Sequence, residues 1–221
     1  MREVTLVAFG DSITMDRHVE DEEKRWLSVL NRLLSEQYPA VIFDVINSGM
    51  GGNSDREKMA RFERDVLDHD PDVLLLQFGG NNSGYNAPSR SVSVAETTQY
   101  LRDMRALLPN KTQVVLITFP HVLWMKHAFC LADPARFTSF HAKDGGHEAL
   151  LNRFREAIKD FATENRYPVV DLYETMKQTV NIESLQIGDG VHLNSKGDRL
   201  LGELVFHCLV TDVLDGKVLQ G

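Results

Sequence analysis

The chain has 221 residues, 43% of them hydrophobic and 8% aromatic, enough for one sizeable core, and we expect a single domain spanning 1–221. A net charge of -8 without any run of Lys and Arg argues against a nucleic-acid partner, and no apolar run approaches the ~20 residues that cross a bilayer. Cys130 and Cys208 lie outside any CxxC pair and read as reduced thiols; with an N-terminus that lacks a secretory-signal pattern, they lead us to expect a cytoplasmic protein.

The first element is "VTLVAF" (4–9), an unalternating apolar run that suits a strand buried on both faces; "GDS", with Ser12, follows it. "EEKRWLSVLNRLLSEQY" (22–38) reads as a helix with Trp26, Leu30, Leu33 and Leu34 on one stripe. A second strand, "VIFDVI" (41–46), runs into "NSGMGGNS" (47–54), and "DREKMARFERDVLDH" (55–69) is expected as one helix. A third strand, "DVLLLQF" (72–78), leads to "GGNNSG" (79–84). The helix "SVAETTQYLRDMRALL" (93–108) opens with Ser93 and Glu96 at capping-box spacing. A fourth strand, "QVVLITF" (113–119), is followed by a segment at about 121–146 that we expect to be a long loop insertion bordering the site; it carries Trp124, Met125, Phe129, Phe137 and Phe140. A helix over 147–164, a fifth strand "PVVDLY" (168–173), the turn "DGVHLN" (189–194) and a last helix from Ser195 complete the chain. Strands alternating with helices imply an α/β fold of right-handed βαβ units, with helices on both faces of a parallel sheet.

Ligands of such sheets bind beyond the carboxyl ends of the strands, where the polar segments above should gather. They supply the parts for acyl transfer. A serine hydroxyl needs a base to take its proton, and His192 can be that base for Ser12. Asp189 lies at a spacing that can bring its carboxylate to the second imidazole nitrogen. The Ser12 and Gly52 amides and the Asn81 side chain are candidate donors to an oxyanion. Asp11, Asn82, Trp124 and Phe129 are further candidates for substrate contact. Each piece alone has a plainer reading: Ser12 as a helix N-cap, Asp189 in "GDG" as a turn former, and His192 as a surface histidine.

"FGDSIT", "NSGMGGNS", "GGNN" and "DGVHLN", in that order, resemble the first, second, third and fifth blocks of the SGNH hydrolases, the GDSL esterases and lipases. The resemblance implies a three-layer α/β/α fold around a five-stranded parallel sheet of flavodoxin-like order. It matches Ser12 to the nucleophile, Asp189 and His192 to the acid and base, and Ser12, Gly52 and Asn81 to the oxyanion hole. It implies a serine-dependent carboxylic-ester hydrolase with no cofactor or metal, acting on a small-molecule ester. Asn82 stands where the family has Asp, a change expected to alter loop support. The Gly-x-Ser-x-Gly elbow of α/β-hydrolases and the dinucleotide motifs do not occur. Alternatives are a metal-dependent phosphoesterase, a zinc site from His121, His127, Cys130, His141 and His147, or a silent ligand-binding module on the same fold. Oligomeric state is not legible.

Overall fold

Five parallel strands, β1 (Arg2–Gly10), β2 (Val41–Gly49), β3 (Val73–Gln77), β4 (Gln113–Ile117) and β5 (Val169–Val170), form a sheet in the order β2-β1-β3-β4-β5. The computed structural model describes residues 2–218, with side chains to 214. In chain order the elements are β1 (Arg2–Gly10), α1 (Ser12–Met15), α2 (Trp26–Gln37), β2 (Val41–Gly49), α3 (Asp55–Ala60), α4 (Phe62–Asp65), β3 (Val73–Gln77), α5 (Val94–Leu107), β4 (Gln113–Ile117), α6 (Ala128–Ala132), α7 (Pro134–Ala142), α8 (His147–Asn165), β5 (Val169–Val170), α9 (Leu172–Lys177) and α10 (Ser195–Leu209). This is the flavodoxin-like order, and the topological switch lies between β1 and β3.

Successive residues of a strand face opposite sides, so an unbroken apolar strand feeds two cores. In β1, Val4, Leu6 and Ala8 join Trp26, Leu30 and Leu34 of α2 and Leu201, Val205 and Leu209 of α10. Val7 and Phe9 face the other way, toward Leu101 and Met104 of α5 and Phe154, Ile158 and Phe161 of α8. Among the described residues no helix is long and apolar enough to cross a membrane.

Three expectations need correction. The helix expected over 55–69 breaks at Arg61, which has φ -116° and ψ 6°. The break turns the Arg61 guanidinium inward, where it donates to Gly10 O at 2.7 Å and Ser48 O at 2.8 Å and lies over the Phe9 ring. A tertiary demand for hydrogen bonds at the ends of β1 and β2 overrides helix propensity there. The fifth strand, expected over 168–173, pairs only at Val169 and Val170. Asp171 then caps α9, accepting from Glu174 N at 3.1 Å. The segment expected as a loop at 121–146 is largely helical, folding into a 3-10 turn (Trp124–Lys126), α6 and α7.

Candidate active site

Ser12 is the first residue of α1, and the cap is its neighbour: Asp11 Oδ1 accepts from Ile13 N at 3.1 Å. That leaves the Ser12 hydroxyl free of capping duty. Its Oγ lies 2.9 Å from His192 Nε2. On the far side of the ring, His192 Nδ1 lies 2.5 Å from Asp189 Oδ2. Asp189 Oδ1 also accepts from Val191 N at 2.9 Å and His192 N at 3.0 Å. Burial works to raise the Asp189 pKa. The hydrogen bonds from the His192 ring and from the two backbone amides outweigh it and hold the carboxyl below its ordinary value. An ionised Asp189 can only accept, so Nδ1 carries the proton, and Nε2 presents its lone pair to the Ser12 hydroxyl.

The turn bearing Asp189 and His192 is pinned at its base. Gln186 and Leu193 pair across an antiparallel bridge, and Ile187 N donates to His192 O at 3.0 Å. Asn194 caps α10, accepting from Lys196 N and Gly197 N, while its amide donates to Ser184 O and Gln186 O.

Gly52 has φ +71°, a region costly for a side chain, and a Cβ there would meet nothing within 4 Å. Open space at this position leaves room for a ligand against the backbone. A Cβ on neighbouring Gly51 would lie 3.9 Å from Ser12 Cβ, so the loop runs beside the hydroxyl. Arg90 donates to Gly52 O and to Glu57 Oε2, anchoring the loop. Gly52 and Asn81 line one cavity of about 200 Å³, together with the backbone around Tyr85 and with His127, Phe129 and Phe137.

Four further candidates for substrate contact fall in different places. Phe129 lines this cavity. Trp124 instead borders a second cavity of about 290 Å³, with His141 and His147. Asp11 and Asn82 are buried at 2% and 1% exposure, and their polar atoms are taken up inside the protein. Asp11 Oδ2 accepts from Gln77 Nε2 and Lys58 Nζ. Asn82 is held by Asp55 and Thr97. Neither is placed to touch a substrate; both support the loops that carry Ser12 and Asn81. Burial of this kind leaves no mark in a local sequence motif.

One neighbour of the base was not foreseen. His18 packs on the His192 ring with centroids 3.7 Å apart and planes tilted by 31°. Burial, then the His192 charge, holds the His18 pKa below its ordinary value, so its neutral ring faces His192 near neutral pH. A lone histidine in a loop carries no sequence signal for such a contact. Around the two cavities, burial depresses His147 to about 3 and lowers His127 and His141 as well, so these three rings are uncharged at neutral pH.

A sequence model described as the GDSL-like lipase/acylhydrolase family matches residues 8–200. The crystal structure of a lipase/acylhydrolase from Enterococcus faecalis superposes with a TM-score of 0.73 at 25% identity, over 95% of each chain. An uncharacterized lipoprotein, YqeF, of Bacillus subtilis is 23% identical over 97% of this chain and 90% of its own. An acetylxylan esterase of Geobacillus stearothermophilus is 28% identical over 51% of this chain and 58% of its own.

Proposed function

The chain belongs to the GDSL-like lipase/acylhydrolase family and is a carboxylic ester hydrolase, and from that premise we propose that it works through Ser12, His192 and Asp189 on short acyl esters of a soluble alcohol or carbohydrate. The observation that carries the reading is the 2.9 Å approach of Ser12 Oγ to an imidazole whose other nitrogen is held by Asp189.

Ser12 Oγ attacks the ester carbonyl as His192 Nε2 takes its proton. Asp189 holds the tautomer and stabilises the imidazolium that forms. The Ser12 and Gly52 amides and the Asn81 side chain receive the oxyanion. His192 then protonates the departing alkoxide oxygen. A water, deprotonated by the same nitrogen, attacks the acyl-enzyme; the bond from the acyl carbon to Ser12 Oγ breaks, the acid leaves, and His192 returns the proton to Ser12 Oγ.

The cavity beside Gly52 and Asn81 supports the substrate class. It holds about 200 Å³, room that suits a short acyl group, and its lining mixes glycines, the Asn81 and Asn86 amides and Arg90 with the rings of Tyr85, Phe129 and Phe137. The relative named an acetylxylan esterase supports a carbohydrate alcohol. The free thiols of Cys130 and Cys208 suit a reducing compartment, and we keep the cytoplasm as the proposed location. Turnover across p-nitrophenyl acetate, butyrate and octanoate, with an acetylated xylo-oligosaccharide alongside, tests the reading. Acetyl and butyryl esters are expected to lead, and Ser12→Ala to abolish turnover of all. A lead for octanoate would overturn the substrate class and leave the triad standing.

A further inference from the structure

Lys58 is a fully buried ammonium on α3, and a charge so placed needs partners. It has two. Nζ lies 3.3 Å from Asp11 Oδ2 and 3.4 Å from Asp55 Oδ1, and both carboxylates are buried as well. The face of the Phe78 ring lies 4.9 Å away.

The two carboxylates reach into different parts of the site. Asp11 immediately precedes Ser12 and caps its helix. Gln77, at the end of β3, donates from Nε2 to Asp11 Oδ2 at 3.1 Å, and its Oε1 accepts from Asp11 N at 3.2 Å. Asp55 brackets Asn81 from both sides. Its Oδ1 accepts from Gly79 N at 3.0 Å, and its Oδ2 accepts from Asn82 Nδ2 at 2.5 Å and from Thr97 Oγ1 at 2.7 Å. Lys58 itself stands on the helix that begins just after the Gly52 loop. One ammonium therefore ties together the three segments that carry Ser12, Gly52 and Asn81.

We infer that Lys58 is a positioning residue, whose buried tie to Asp11 and Asp55 sets the spacing of the three oxyanion donors. The inference rests on the proposed roles of Ser12, Gly52 and Asn81. Without the ammonium, two buried carboxylates face each other and repel, and the segments they anchor spread. A misplacement on the order of 1 Å at a reacting centre costs about 10²-fold in rate. The ester in its ground state feels this little, because the donors act mainly on charge that develops later.

The test measures kcat and KM on p-nitrophenyl acetate for Lys58→Met and for Lys58→Met/Asp55→Asn. The double variant removes the ammonium together with one carboxylate, so the two buried carboxylates no longer face each other while the tie is still absent. It decides the question if Lys58→Met alone does not fold. The expected result is a loss of about 10²-fold in kcat with KM within about threefold of wild type. A kcat within threefold of wild type in the double variant, or a loss confined to KM, would overturn the inference and leave Lys58 a stability residue. Failure of the underlying reading looks different: Ser12→Ala would then turn over the ester like the wild type, and there would be no oxyanion hole for Lys58 to position.

Discussion

Ser12 and the turn that carries Asp189 and His192 come from opposite ends of the chain, yet Ser12 Oγ lies 2.9 Å from the His192 ring and that ring 2.5 Å from Asp189. Each lies beyond the sheet's carboxyl edge, Ser12 at the start of α1 and the other two on one turn, and that placement made them readable from local sequence. Asn81 belongs to the same set, lining the cavity beside Gly52. Its side chain lines a cavity rather than the core, so Asn81→Ala should leave the fold intact. The expected outcome is a fall of about 10²–10³ in kcat with little change in KM, measured by steady-state kinetics on p-nitrophenyl acetate. An effect confined to KM would remove Asn81 from the oxyanion hole. Asp11 and Asn82 mark the limit of reading at this scale. Polar residues flanking a motif look alike in sequence whether they face solvent or an internal lysine.

Among the elements, α1 and α10 are joined by an acid pair. Asp16 ends α1 in a left-handed turn, accepts from Trp26 N at 3.0 Å, and meets Asp198 in the first turn of α10. Burial, then the bond to Asp16 and its charge, pushes the Asp198 carboxyl up to about 9, with Arg25 pulling weakly the other way. The pair therefore holds a proton at neutral pH that the unfolded chain has released. Stability is full below the ordinary carboxylate range and declines as the pH rises toward 9. Asp198→Asn keeps a donor to Asp16 and needs no proton. Its melting temperature should exceed that of the wild type by a margin that widens from pH 5 to pH 9; a constant margin would contradict the shared proton. The distance in sequence between Asp16 and Asp198 hides this pair from any local pattern. The helices α6 and α7 are a different case. Asp133-Pro134, an N-cap followed by Pro in the first turn, is a helix start that the sequence does carry.

For the whole molecule, two cores separated by the sheet decide what can change. α2 and α10 pack so closely on one face that a Cβ at Gly202 would lie 2.8 Å from Trp26 O and 3.0 Å from Val29 Cβ. Gly202→Leu should force the two helices apart and lower stability by about 1–3 kcal/mol, read from urea unfolding. An unchanged unfolding midpoint would contradict the close packing. The strands β1, β3 and β4 were legible because their apolar runs are buried on both faces; the edge strand β2 was legible from its apolar run alone, since only Phe43 in it is buried. Their order was not, since an apolar run does not record its neighbour; only the resemblance of the four blocks supplied it. The brevity of β5 was equally hidden, because it depends on where Asp171 begins the next helix.

Activation of Ser12 as a nucleophile by His192 is the central proposal, and a fluorophosphonate probe tests it without choosing a substrate. The probe is added to the folded protein and the adduct is located by peptide mass spectrometry. A single adduct on Ser12, lost in His192→Ala, is the expected result. No adduct on Ser12 in folded protein, or equal labelling of Ser12 without His192, would contradict it.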